Sequence, residues 1–135
     1  MLMSWFIAWL AAIVAFLVLD GLWLGVVAKS FYADRMGDLL RPSIQVAPAA
    51  GFYLCYALGL VFLAVRPGLP EAPLLGSVAL HGAVVGFLAY GTYNMTALAV
   101  VRDWPSALSF VDLAWGTLLS ASVAVVASLA LRAFA

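Results

Sequence analysis

Two aspartates stand inside stretches of sequence that are otherwise built to meet lipid. Asp20 follows the apolar run Phe16-Leu17-Val18-Leu19, and Asp112 follows Ser109-Phe110-Val111 and precedes Leu113-Ala114-Trp115. An ionised carboxylate is costly in hydrocarbon, so such a side chain is expected to face a bundle interior or a wet cavity and to mark function. Carboxyl groups there can hydrogen-bond a ligand or act as general acid and base, which makes Asp20 and Asp112 the candidate catalytic residues. Around them, a spacing of three recurs: Asp20 with Trp23, Tyr53 with Tyr56, Tyr90 with Tyr93, and Asp112 with Trp115. Residues three apart are neighbours on a helix surface. With Asn94 and Thr96 they predict an aromatic-walled pocket with a few strong hydrogen-bonding groups, the usual make-up of a small-molecule site.

The elements that must carry these residues are membrane helices. Of 135 residues, 67% are hydrophobic and 9% are charged, against roughly a quarter charged in soluble domains. Twelve charged side chains could not cover that much apolar surface in water. Apolar stretches near the length needed to cross a bilayer predict helices at about 4–28, 44–65, 74–101 and 106–131. The expected fold is all-α, one integral membrane domain (1–135) forming an antiparallel bundle of four transmembrane helices. The break Arg66-Pro67-Gly68-Leu69-Pro70-Glu71 suits a tight surface turn, and Pro105 suits the first turn of the fourth helix. The first stretch has no basic residue before Lys29 and reads as a retained helix, not a signal peptide. Between the first two helices, Ser30 to Arg41 mixes aromatic, charged and aliphatic residues. It reads equally as a short amphipathic surface helix or a solvated loop.

Helical rise converts sequence positions into depths. Asp20 lies nine residues before Lys29 and Asn94 eight before Arg102, while Tyr53 lies nine after Ile44 and Asp112 seven after Pro105. At 1.5 Å per residue all four fall roughly 10–14 Å below one membrane edge. Facing follows from small-residue rows, which let helix backbones approach closely. Asp112 begins the row Gly116, Ser120, Ala124, Ser128; the second helix has Ala47, Gly51, Cys55, Gly59; and shorter versions are Gly21 with Gly25 and Gly82 with Gly86. Trp5, Trp9 and Trp104 read as interfacial anchors. His81 lies about 20 Å along its helix from Asn94, and its plain reading is structural. The aspartates, too, have a bland alternative: fixing helix register through Tyr, Asn or Trp partners.

What the sequence lacks narrows the classes. There is no basic cluster for nucleic acid, no metal-ligand cluster, no nucleophile–base pair and no cofactor motif. The cofactor is therefore unknown, and any chemistry requires one from outside or a partner protein. Lys29, Arg35, Arg41 and Arg102 in the first and third connections outnumber Arg66 and Arg132 on the other side. This places the termini on the non-cytoplasmic side.

Across nearly the whole chain the sequence resembles the DUF2177 family of small four-span bacterial membrane proteins. The resemblance rests on Asp20-Gly21-Leu22-Trp23-Leu24, Phe31-Tyr32, Phe52-Tyr53-Leu54-Cys55-Tyr56, Tyr90-Gly91-Thr92-Tyr93-Asn94-Met95-Thr96, Trp104-Pro105 and Val111-Asp112-Leu113-Ala114-Trp115-Gly116. It implies a bacterial inner membrane location and a site at these positions. The family's usual pattern has Asp in place of Asn94 and Asn in place of Ala97, so this chain carries one carboxylate fewer, with its amide at 94 and not at 97. The lipid-modification genes that accompany the family lean the ligand toward a lipophilic one. The leading expectation is binding, with or without modification, of a lipid or lipophilic small molecule. Proton-coupled transport, by a homo-oligomer, and a non-catalytic subunit of a membrane complex are the alternatives.

Overall fold

The computed structural model describes residues 1–135. Four helices are long and apolar enough to cross a membrane: α1 (Leu2–Val27), α3 (Val46–Val65), α4 (Leu75–Val100) and α5 (Ser106–Phe134). They run alternately up and down, as short connections require, and there is no strand. The segment after α1, read as helix or loop with equal weight, is a helix: α2, Lys29–Met36, followed by one tight turn at Gly37–Leu39. Gly37 adopts φ 52°, a left-handed backbone at which a side chain is strained. Pro105 stands one place before the first turn of α5. Its ψ of 122° is extended, and its carbonyl accepts both the Ser109 N–H (3.1 Å) and the Ser109 hydroxyl (2.9 Å).

α5 is the central helix. It buries nine residues, whereas α1 and α4 bury five each, and it packs against both of them. The core is small and aliphatic: Ala8, Ala12, Ala57, Leu60, Val61, Ala64, Val78, Val123 and Ala127 are all fully buried. Large apolar side chains instead point outward, among them Leu17, Phe62, Leu80 and Leu118, each more than 60% exposed. Such a surface belongs against acyl chains, not water. The inversion is expected in a bilayer, where helices associate through close packing of small residues.

Among the glycines, approach close enough to exclude a Cβ occurs between α4 and α5. A Cβ on Gly82 would come within 2.8 Å of the Ser120 carbonyl and 2.9 Å of the Ala124 Cβ, and one on Gly86 would strike the Gly116 carbonyl and Ser120. On Gly116 a Cβ would collide with the Tyr90 ring. The rows in the other two helices do not do this. Gly21, Gly25, Gly51 and Gly59 have nothing within 4 Å, and Cys55 is exposed. Their spacing makes close contact permissible, but their phase on the helix turns most of them outward. α1 and α3 are instead joined by side chains. Trp9, read as an interfacial anchor, donates its indole N–H to the Leu54 carbonyl at 3.0 Å, and Phe16 packs on Tyr53 and Tyr56.

Candidate functional site

Local departures from α-helix position the site. The last five residues of α1, Trp23–Val27, form a π-turn closed by the Ala28 N–H on the Trp23 carbonyl at 2.7 Å. Widened turns of this kind alter side-chain phase and recur at functional sites. Here the π-turn begins at Trp23, three residues after Asp20, and leads directly into α2. A second π-turn, Val61–Val65, ends α3. It is this end of α3 that packs against α4; the part from 46 to 60 scarcely touches α4.

Each carboxylate is held by two neutral donors, one on each oxygen. Asp20 accepts the Tyr53 hydroxyl on Oδ2 at 2.5 Å and the Trp115 indole N–H on Oδ1 at 3.0 Å. Asp112 accepts the Tyr32 hydroxyl on Oδ1 at 2.7 Å and the Asn94 amide on Oδ2 at 2.6 Å. The Tyr32 oxygen in turn accepts the Trp23 indole N–H at 3.1 Å. Trp23 and Trp115 stack face to face, 4.4 Å between centroids and 11° between planes. Hydrogen bonds to charged groups are the stronger kind, so this circuit ties all five helices together at one level.

The two Asp-x-x-Trp segments explain the circuit's form. α1 runs toward the nearby membrane edge while α5 runs away from it. The indole of each segment therefore reaches the depth of the other's carboxylate. Trp115 bonds Asp20 directly, and Trp23 reaches Asp112 through the Tyr32 hydroxyl. Burial pushes the Tyr32 phenol above its ordinary value; the Trp23 N–H acts the other way, and Asp112 pushes it up further. The phenol thus keeps its proton and serves as a donor to Asp112.

Asn94 is completely buried. Its amide nitrogen donates to Asp112 and to the Tyr90 carbonyl (2.9 Å), both of them acceptors, which fixes the orientation of the amide. Its Oδ1 has no donor at all. A buried acceptor left without a partner is unusual enough to require a reason.

Beside the circuit lies a pocket of about 670 Å³ between α3 and α4, with Asp112 of α5 on its wall. Phe52 and Tyr53 line one side, and Tyr90, Thr92 and Tyr93 the other. It occupies the gap left where α3 stands away from α4, so it opens laterally. Exposed on this side are Phe52 and Tyr93, both more than half accessible.

Asp20, Trp23, Tyr53, Asn94, Asp112 and Trp115, chosen from the sequence, thus meet in one network, and Tyr90 and Tyr93 join them as pocket walls. Tyr56 does not reach it, being buried in a bond with Ser120 at 2.8 Å. Thr96 is exposed, away from the carboxylates. His81 is also exposed, its Nδ1 2.7 Å from the Ser77 carbonyl one turn earlier. Tyr32 is the residue that sequence reasoning left out of the site, although the Phe31-Tyr32 pair in an amphipathic segment next to the polar layer was its signal. No group of three or more His, Cys, Asp or Glu side chains comes together to hold a metal ion.

Residues 5–129 match the family model described as "Predicted membrane protein (DUF2177)". Neither the curated proteins nor the solved structures contain a match to the chain.

Proposed function

Starting from the premise that the chain belongs to the DUF2177 family of predicted membrane proteins, we propose that it binds a lipophilic small molecule in the α3–α4 pocket. The observation that carries this reading is the gap between α3 and α4: an aromatic-lined pocket with a carboxylate on its wall. Sites with this balance, mostly apolar with sparse polar anchors, suit small molecules of drug-like or lipid-head size. An acyl or isoprenoid tail would remain among lipid chains while the polar end passes between Phe52 and Tyr93.

In this reading Asp112 touches the bound molecule. Asp20 acts through Tyr53, whose hydroxyl it holds, and so positions a pocket wall. Any proton exchanged with the bound molecule would pass to Asp112, the carboxylate on the pocket wall. Binding is preferred to proton-coupled transport because of what lies on the other side of the Tyr56–Ser120 pair. There the interior is largely small aliphatic side chains, including Ala8, Leu60, Ala64, Val78 and Val123, with little to carry a proton onward. The proposed setting is the bacterial inner membrane, with α2 at the cytoplasmic face and both termini on the opposite side, following the excess of basic residues in the first and third connections.

Mass spectrometry of small molecules retained after gentle purification tests the proposal. The wild-type chain should retain a lipophilic molecule that the Asp112→Asn variant loses while keeping its helical content. Equal retention by the two, or none by the wild type in any detergent or native lipid disc, would overturn it.

A further inference from the structure

The site has acceptors to spare and no cation. The four donors on Asp20 and Asp112 are two phenols, an indole and an amide, none of which carries charge. An ionised carboxylate can accept about four hydrogen bonds, and each here receives two. Asn94 Oδ1, completely buried beside Asp112, adds a further acceptor with nothing to accept. The basic residues nearest in sequence, Lys29 and Arg102, are both exposed. Charge taken out of water is stable only when paired, and this site pairs neither carboxylate. The walls of the adjoining pocket are Phe52, Tyr53, Tyr90 and Tyr93, aromatic faces of the kind that attract an ammonium group through the ring quadrupole.

Resting on the lipophile-binding reading above, we propose that the molecule taken by the α3–α4 pocket carries an ammonium head. The head completes the charge of Asp112 and lies against the aromatic walls, and its tail stays in the bilayer. An ammonium bearing N–H groups also offers donors to the unfilled acceptor positions of Asp112, the carboxylate on the pocket wall. A carboxylate or phosphate head is disfavoured by the same carboxyl group.

The test uses the full-length chain in a neutral, sugar-headed detergent at pH 7, with three probes of one chain length: dodecylamine, 1-dodecanol and dodecanoate. Isothermal titration should show the amine binding tighter than the alcohol by on the order of tenfold, the scale of a single partly screened charge pair, and the dodecanoate binding weakest. Asp112→Asn should bring amine and alcohol to within about threefold of each other. Because that variant touches the helix-joining circuit, Tyr93→Leu provides a second check at an exposed pocket wall. Leucine keeps apolar surface but has no ring quadrupole, so the variant should weaken the amine more than the alcohol and narrow the gap between them several-fold. Equal binding of amine and alcohol by the wild type would overturn the ammonium assignment, as carboxylates that hold their own protons would produce, and would leave the lipophile reading standing. Tightest binding of dodecanoate would overturn the assignment outright. No binding of any probe would sink both.

Discussion

α4 presents two faces that do opposite things. Toward α5 it offers Gly82 and Gly86, and the two backbones close until no Cβ could be inserted between them. Toward α3 it offers Tyr90, Thr92 and Tyr93, and α3 stands away, leaving the pocket. The same helix is thus closely packed on one side and one wall of an open pocket on the other. Helices in a bilayer gain little from hiding apolar surface, since lipid is equally apolar. A gap between two of them is therefore tolerable wherever bulky side chains hold it open. Close packing on the α5 side is what allows openness on the α3 side without the carboxylates losing their level.

The sharpest way to break this contrast is to put a side chain into the closed face. The Tyr90 ring occupies the place a Cβ on Gly116 would need. Gly116→Ala should therefore force Tyr90 and α4 away and destabilise the protein by about 3 kcal/mol, the upper end for overpacking a tight contact. Unfolding followed in graded denaturing detergent checks it. Because Tyr90 is also a pocket wall, the proposed binding of a lipophile should be lost along with stability in this variant.

Legibility in the sequence divides along the same line. The four spans and the shared depth of the polar residues could be read directly, because hydrophobic length and helical rise are local properties. The network around Asp20 and Asp112 followed from that depth. Which small-residue rows would be used could not be read, because a four-residue spacing marks a helix as able to approach closely and does not choose its partner. Gly82 and Gly86 found α5; Gly21, Gly25 and Gly51 found nothing. Tyr32 was missed for a different reason. It lies outside the spans, and only the turn from α1 into α2 folds it back over Asp112, 80 residues away.

An intermediate effect is expected at Tyr32. Tyr32→Phe removes both the hydroxyl that Asp112 accepts and the oxygen that Trp23 bonds, and should cost about 1 kcal/mol. The folded phenol titrates above its ordinary value of about 10. Its contribution is therefore complete below that pH and is lost as pH rises toward the folded value. Protection of the α2 amides, taken against an unstructured peptide at the same pH, should be steady through neutral pH and fall above about pH 10. The Tyr32→Phe variant should show lower protection at every pH and a weaker alkaline fall. An unchanged alkaline fall would mean that Tyr32 is not the group holding α2 in place.

The smallest effect should come from the outward glycines, and it is the one that sharpens the comparison most. Gly51 lies on α3, is exposed, and has open space where a Cβ would go. Glycine in a helix interior is less favourable than alanine by roughly 0.5–1 kcal/mol. Gly51→Ala should thus leave stability unchanged or raise it by up to about 1 kcal/mol, the opposite sign to Gly116→Ala. Both variants add the same methyl group to a membrane helix, so composition cannot account for a difference between them. Only the presence or absence of a facing helix can. A loss at Gly51 comparable to that at Gly116 would mean that this face of α3 is covered in the membrane, by a second copy of the chain or by another protein. The pocket beside it would then open into an interface and not into lipid.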